Sequence, residues 1–533
     1  MNSTTRYTTF LKKLAALMRE GEVAMRRREF IKQADIAAAG ALLGSQRLQS
    51  APTQQGKRAE SHEIENIVLF FVDQQRWDCL GCTGNPVVRT PNIDRLASTG
   101  IRFNHAYTPA PVCTPARTSL QTGLWPHNHK LTFNTGRSNI RGGLEDPEPE
   151  TPFFSHVLKA KDWRLAHVGK WHIGTDKHKP SAHGYDDLPH YPGYGYPAKH
   201  PHYRAYLKSQ GVDSFRLLDE KRDPTGYRNY SGLQEGPRSA SIPAYLASQT
   251  IDVIEQCSAG SDKFFISCNF WGPHAPYNIT RKHYELYRDA DISPWPNFDC
   301  DLSDKPGVIT RYGEYWKTGW FTRENLPELI GQYYGYISLI DEEIGRVMKA
   351  LEDAGKLEST LIVFSADHGS SVGSYRFWDK GFGMYDAITR IPMIFSHPLL
   401  HPGTSDAFVT LLDLAPTFLE CAGCQVPETM EGTSLIPILN GQATAVREDC
   451  LVTEHHGHQL PFWQRMVRTQ HGKYIFNPTS RDEYYDLDTD PWETKNIIGT
   501  VRRAELNHYR EILIQWMKET GDPLHFWAEP MML

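Results

Sequence analysis

The sequence predicts an α/β protein, with a large mixed, mostly parallel sheet sandwiched by helices and a smaller C-terminal antiparallel sheet plus helix. Three observations carry this: unbroken apolar runs that stop at polar clusters, amphipathic helical stretches between them, and a change of texture after residue 448. The run Asn66 to Val72 has no alternation, the mark of a strand buried on both faces of a parallel sheet, and it stops at Asp73-Gln74-Gln75. Leu165 to Val168 runs into Gly169-Lys170-Trp171-His172, Lys263 to Ser267 leads to Trp271-Gly272-Pro273-His274, and Leu361 to Ser365 leads to Asp367-His368-Gly369. In open α/β sheets ligands bind beyond the carboxyl ends of the strands. Four strands ending in polar clusters therefore predict one shared site.

Between the strands, Pro91 suits a first helical turn and Gly100 stops the helix. The longest helix is predicted from near Pro327 to near Gly355, because Ile337, Ile340, Ile344, Val347 and Leu351 recur at three- and four-residue steps and form one apolar face for the sheet. The stretch Tyr191 to Gly236, rich in Tyr, Pro, Gly and charge, reads as an insertion of loops. From Asp449 on, short alternating stretches at Met466 to Thr469 and Tyr474 to Phe476 predict the small antiparallel sheet, and Val501 to Lys518 the helix after it. The expected organisation is an N-terminal segment 1–60, a main domain 61–448 that carries the shared site, and a C-terminal subdomain 449–533.

Composition narrows the function. Of 533 residues, 40% are hydrophobic and 23% charged, which suits a large globular protein, and 57 Lys and Arg against 63 Asp and Glu leave a net charge of -6. No global basic field exists to hold nucleic acid. Nine scattered cysteines do not form a dense disulfide framework. The spacings Cys79-x-x-Cys82 and Cys421-x-x-Cys424 allow a four-thiolate zinc site, with buried free thiols as the plainer account.

The segment Arg26-Arg27-Arg28-Glu29-Phe30-Ile31-Lys32, the apolar stretch Ile36 to Leu43 and the polar run Ser45 to Glu60 resemble a twin-arginine export signal. An exported, periplasmic or secreted bacterial protein is expected. The apolar stretch falls far below the ~20 residues of a membrane span, and no later segment reaches it.

The chemistry concentrates in Pro111-Val112-Cys113-Thr114-Pro115-Ala116-Arg117-Thr118-Ser119-Leu120-Gln121-Thr122-Gly123. Cys113 opens a predicted helix, where backbone N–H groups and the dipole favour negative charge, so a thiolate nucleophile is one reading. Cys-x-Pro-x-Arg followed by Ser-Leu-x-Thr-Gly resembles the signature of the type I, formylglycine-dependent sulfatases, members of the alkaline-phosphatase-like superfamily. Gly169-Lys170-Trp171-His172-Ile173-Gly174 resembles their second signature. The block Asn66 to Asp73, Pro273-His274-x-Pro276, Ala366-Asp367-His368-Gly369 and Tyr485-Asp486-Leu487-x-x-Asp490-Pro491-x-Glu493 resemble further blocks, in the family's order.

The resemblance implies that a separate formylglycine-generating enzyme oxidises Cys113 to formylglycine (3-oxoalanine), hydrated at rest. It implies a divalent metal held by Asp73, Gln74, Asp367 and His368 together with one oxygen of the modified Cys113. Arg117 would orient the hydrated aldehyde and His172 hydrogen-bond to it; Lys170, His274 and Lys380 would grip the sulfate, with His274 or Lys380 protonating the leaving alkoxide. Lys380 stands at the right distance after Asp367-His368-Gly369, in wording that departs from the usual Gly-x-x-Lys. In the implied two-step reaction one hydroxyl of the hydrate attacks sulfur in line and expels the alcohol, and the second then expels sulfate and restores the aldehyde.

Two positions depart from the pattern. Many sulfatases carry a second aspartate and an asparagine where this chain has Gln74 and His368, an all-oxygen site suited to calcium. Calcium stays first by resemblance, while the nitrogen donor admits manganese, with magnesium also open. The same wording occurs in relatives that hydrolyse phosphonate monoesters and phosphodiesters with the same modified cysteine. A non-catalytic sulfate-ester binding protein is a third reading, against which the oxidisable Cys113 beside a metal site argues. The 25 tyrosines and 13 tryptophans supply stacking surfaces, so a sulfated carbohydrate is the expected substrate.

Overall fold

The computed structural model describes residues 64–136, 143–186, 200–226, 228–260 and 262–532. The segment that resembles an export signal lies outside them. Strands β1 (Asn66–Asp73), β2 (Gly100–Tyr107) and β3 (Arg164–Gly169) precede a pair, β4 (Leu217–Arg222) and β5 (Asn229–Gln234). Then come β6 (Phe264–Pro273), β7 (Tyr277–Ile279), β8 (Thr360–Ala366), β9 (Met393–Ser396) and β10 (Gly403–Thr410). The last four are β11 (Cys450–His455), β12 (Gln464–Thr469), β13 (Gly472–Phe476) and β14 (Glu483–Asp486). The helices that matter here are α1 (Pro91–Thr99), α2 (Cys113–Thr122), α3 (Ile242–Ser258), α4 (Gly307–Trp316), α5 (Leu326–Asp353) and α6 (Arg503–Thr520).

The main sheet has seven strands in the order β10-β2-β9-β8-β1-β6-β3. The four strands read from apolar runs are its contiguous block β8-β1-β6-β3, all parallel. β1 is buried at every residue, as a central strand covered on both faces must be. Their register is flush: Gly169 pairs Asn269, which pairs Phe71, which pairs Ser365. The polar clusters that follow therefore leave the sheet along one edge. The sheet is mixed because β9 runs antiparallel to both β2 and β8.

Long helix α5 packs on α3 and on β6, its isoleucines at 337, 340 and 344 fully buried. At the C-terminus, β11-β12-β13-β14 form an antiparallel sheet, and α6 lays Tyr509, Leu513, Ile514 and Met517 against Val467, Tyr474 and Phe476. The structure corrects the reading of 191–236 as loops. Its described part holds a helix at Pro201–Ser209 and strands β4 and β5, which join β7 in a three-stranded sheet. β4 escapes a periodicity reading because its Leu-Leu-Asp-Glu-Lys-Arg stretch is largely exposed.

Candidate active site

Helix α2 runs through the interior with all ten of its residues buried. Val112 before it is extended and offers no side-chain cap, so the positive end of the helix is left to whatever lies in front of Cys113. Asn134 Oδ1 accepts the Thr114 N–H at 3.1 Å. One turn on, Arg117 projects from the same face: its Nε donates to Asp367 Oδ2 at 2.9 Å and its Nη1 to the Lys170 carbonyl at 3.0 Å. Its Nη2 is buried with no hydrogen-bond partner.

Asp73 and Asp367 follow the paired residues Val72 and Ala366, so the sheet register alone brings them side by side. Gln74 takes a left-handed backbone, φ 67°, which turns its N–H onto Asp367 Oδ1 at 3.0 Å. Gly169 has φ 93°, and a Cβ there would fall 1.9 Å from the Asn269 carbonyl oxygen, so only glycine makes the turn that sends Lys170 onto Asp73 Oδ2. The Lys170 ammonium lies 5.2 Å from the Trp271 ring centre. His172, also left-handed at φ 59°, accepts the Thr114 hydroxyl on its carbonyl at 2.8 Å. Non-glycine residues in this region mark sites the surrounding fold over-determines.

Ligand atoms of Asp73, Cys113, Asp367 and His368 all lie within 4.8 Å of one another, and all four residues are buried. His368 Nδ1 donates to the Gly369 carbonyl at 2.8 Å, which leaves the Nε2 lone pair facing inward, 3.2 Å from Cys113 Sγ and 3.8 Å from Asp73 Oδ1. Each carboxylate has its outer oxygen tied to a cation, Lys170 or Arg117. Two carboxylate oxygens, an imidazole nitrogen and the Cys113 side chain meeting at one point suit a divalent cation, and a second carboxylate in a dry pocket favours one.

On the other side of Asp73, Lys380 Nζ donates to Gln74 Oε1 at 2.9 Å and to His274 Nε2 at 2.7 Å. His274 Nδ1 donates to the Ala275 carbonyl at 2.6 Å. The Gln74 amide nitrogen is held by Ser370 Oγ and Asp379 Oδ1. Burial pushes the Asp73 carboxyl upward, but Lys170 and His274 prevail and hold it well below the usual carboxylate range. Burial, then the Lys380 charge, brings His274 down to about 4, and His172 is held well below its ordinary value by burial and Lys170. Against burial, Asp379 and the other anions around it raise Lys380. The site thus keeps Lys380 charged and these two histidines neutral at pH 7.

The family model for sulfatases matches residues 65–424. The chain belongs to the sulfatase family. It is a sulfuric ester hydrolase with the alkaline-phosphatase-like fold, and a second family model, the C-terminal region of N-sulphoglucosamine sulphohydrolase, matches 373–519. The sulfatase is 28% identical to an arylsulfatase of Clostridium perfringens, over 84% of this chain and 94% of that protein. It is 26% identical to an N-acetylglucosamine-6-O-sulfatase of Bacteroides thetaiotaomicron, over 86% and 87%. A phosphonate monoester hydrolase from Silicibacter pomeroyi shares the fold, with a TM-score of 0.71 at 22% identity, over 85% of this chain and 94% of that one.

Nine of the ten predicted site residues of the sulfatase stand at strand ends or on α2 beside them, and Lys380 reaches Gln74 and His274 there from the loop between β8 and β9. Sequence reading passed over Asp379, which pairs Lys380 at 3.2 Å, and Ser370; both are polar residues directly beside positions already singled out. It also missed Tyr312, whose hydroxyl donates to the Lys380 carbonyl from a helix with no family wording. The nine cysteines are free thiols. Among the described residues, the candidate metal groups include none of Cys79, Cys82, Cys421 and Cys424, which removes support for the four-thiolate zinc alternative.

Proposed function

We propose that this sulfatase hydrolyses sulfate monoesters on a carbohydrate, using formylglycine made from Cys113 and a divalent metal held by Asp73, Asp367, His368 and the modified Cys113, with Gln74 beside them. The observation that carries the reading is the buried convergence of Cys113 with two carboxylates and His368, one helical turn from an arginine with an unused Nη2. The hydrated aldehyde would supply a hydroxyl nucleophile, and the cation would offset charge on the non-bridging sulfate oxygens. Arg117, clamped by Asp367 and the Lys170 carbonyl, would turn Nη2 to an oxygen at Cys113. Lys170 and Lys380 would hold sulfate oxygens, His172 would hydrogen-bond the hydrate, and water would be kept out by burial. His274 accepts from Lys380 while its other nitrogen is committed to Ala275, so Lys380 is the member of the pair with a proton to give the departing alkoxide. Calcium remains the first candidate ion.

The carbohydrate assignment draws on the N-acetylglucosamine-6-O-sulfatase relative and on a neighbouring structure solved with D-glucosamine-2-N,6-O-disulfate. Export through the arginine-led segment at 26–43 fits substrates met outside the cytoplasm. The nitrogen donor His368 also favours a second reading, phosphonate monoester or phosphodiester hydrolysis. Peptide mass spectrometry should find Cys113 converted to the aldehyde after co-expression with a maturing enzyme, metal analysis should find one bound ion, and aryl sulfate should turn over faster than aryl phosphodiester. Cys113→Ala should abolish turnover with the melting curve kept. Full activity with an unmodified thiol would sink the mechanism, and preference for the phosphodiester would promote the second reading.

A further inference from the structure

The loop that carries Lys380 is held at three successive carbonyls. Trp378 accepts the Ser370 hydroxyl at 3.2 Å. Asp379 accepts both the N–H and the hydroxyl of Ser371, at 3.0 Å and 2.9 Å, and Lys380 accepts the hydroxyl of Tyr312 on α4. Ser370 and Ser371 come shortly after Asp367 and His368 in the chain, so the segment that delivers the lysine is tied to the segment that follows β8. What the main chain leaves open is the side chain, a point charge on a flexible stem. Where its ammonium stands is decided by its partners.

Those partners form a closed ring. Lys380 Nζ donates to His274 Nε2 at 2.7 Å and to Gln74 Oε1 at 2.9 Å, and two donors so aimed fix the rotation of the ammonium. Lys380 is buried, and a buried charge needs a counter-charge; among the described residues Asp379 is its one ion-pair partner, with Oδ1 at 3.2 Å. The same Oδ1 accepts from Gln74 Nε2 at 3.0 Å. The other acceptor of that amide nitrogen is Ser370 Oγ at 3.1 Å, which has given its proton to Trp378 and can only accept. Gln74 Nε2 therefore stands between two acceptors, and turning the amide over would set Oε1 against a carboxylate. Asp379 thus acts on Lys380 twice, once through its own charge and once by presenting Gln74 Oε1. Gln74 in turn gives its backbone N–H to Asp367 Oδ1 at 3.0 Å, so the ring adjoins the group that converges on Cys113.

We propose that Asp379 is a positioning residue of the hydrolysis: it anchors the Lys380 ammonium and orients the Gln74 amide that grips it, and so fixes where Lys380 delivers its proton. This rests on the sulfatase reading, with Lys380 as the donor to the departing oxygen, and deepens it by naming what holds the donor in place. Asp379 acts through Lys380 and Gln74.

The test compares the mature holoenzyme with Asp379→Asn, Asp379→Glu, Lys380→Ala and the double variant Asp379→Asn with Lys380→Ala, on aryl sulfates running from 4-nitrophenyl to 4-methoxyphenyl sulfate. Turnover of 4-nitrophenyl sulfate by the unaltered enzyme tests the sulfatase reading by itself. Proton donation counts most for the more basic leaving group. Asp379→Asn should therefore lower kcat less than about threefold on 4-nitrophenyl sulfate and about tenfold or more on 4-methoxyphenyl sulfate, the scale of one hydrogen bond to a charged group, with KM little changed. Asp379→Glu, which keeps the charge one methylene further out, should recover part of the loss. On the Lys380→Ala background Asp379→Asn should cost less than about twofold more, because a residue that works through Lys380 then has nothing to position. Each variant should keep its bound metal ion. Equal losses along the series, the full extra loss on the Lys380→Ala background, or loss of the ion from Asp379→Asn would overturn the assignment.

Discussion

At the scale of single residues, the position of one proton makes a prediction. His274 gives its Nδ1 hydrogen to Ala275, so its Nε2 accepts from Lys380. The tautomer follows from these partners, and in the proposed mechanism it leaves Lys380 as the general acid. General-acid help matters most where the leaving group is a poor one. Lys380→Ala should therefore cost about 10²- to 10⁴-fold on a sugar or alkyl sulfate and far less on 4-nitrophenyl sulfate, whose phenolate departs without a proton. The ratio of kcat values on the two esters measures it. Equal losses would mean that Lys380 grips sulfate and donates nothing.

At the scale of elements, the C-terminal wording Tyr485 to Glu493 has a structural use. Lys473 on β13 is fully buried, donates to Asp386 Oδ1 at 2.6 Å and pairs with Glu493, while Glu493 Oε2 accepts the Asp386 N–H at 2.8 Å. The network ties the small sheet to the turn Asp386–Thr389, whose Ala387 and Ile388 carbonyls receive the Ser370 and Gly369 N–H groups next to the site. Burial and the neighbouring Asp386, opposed by Lys473, put the Glu493 carboxyl at about 7, so it gives up its charge more readily than an ordinary carboxylate. Lys473→Met strands two buried carboxylates and should cost about 3–5 kcal/mol in urea unfolding; Glu493→Gln should cost clearly less. A comparable loss for both would refute the assignment. This network was invisible in the sequence because its members are far apart and single. What was legible was β8-β1-β6-β3, since strands buried on both faces write continuous apolar runs, and the residues at their ends, since the chain must turn polar where it meets a ligand. β10 was not legible: its first half is largely exposed and its second half buried, which breaks both the run and the alternation. β7 has three residues, too few for any period.

At the scale of the whole molecule, the resting protein stores a set of neutral histidines that acid must charge. Burial takes His129 and His167 down to about 3, burial followed by Arg390 takes His105 down to about 4, and burial foremost does the same to His183. Two of them brace the site: His129 Nδ1 accepts the Leu131 N–H while Nε2 meets Ser119 Oγ on α2 at 3.1 Å, and His167 Nε2 reaches the Lys170 carbonyl at 3.3 Å. In the unfolded chain each titrates near 6.5. Between that value and about 4 the unfolded state binds more protons than the folded one, so stability is full above pH 6.5 and falls as pH drops, by up to ~1.4 kcal/mol per pH unit for each histidine. His127, raised by Glu454 against its burial, works in the opposite sense and offsets part of this loss. The urea midpoint followed by tryptophan fluorescence should therefore hold steady from pH 8 to 7 and fall steeply from 6.5 to 5. His129→Gln, which keeps a donor and an acceptor without a titrating ring, should flatten that fall by about one proton's worth. A midpoint that stays level or rises down to pH 5 would mean that the interior admits protons to these rings, and that α2 is braced by packing alone.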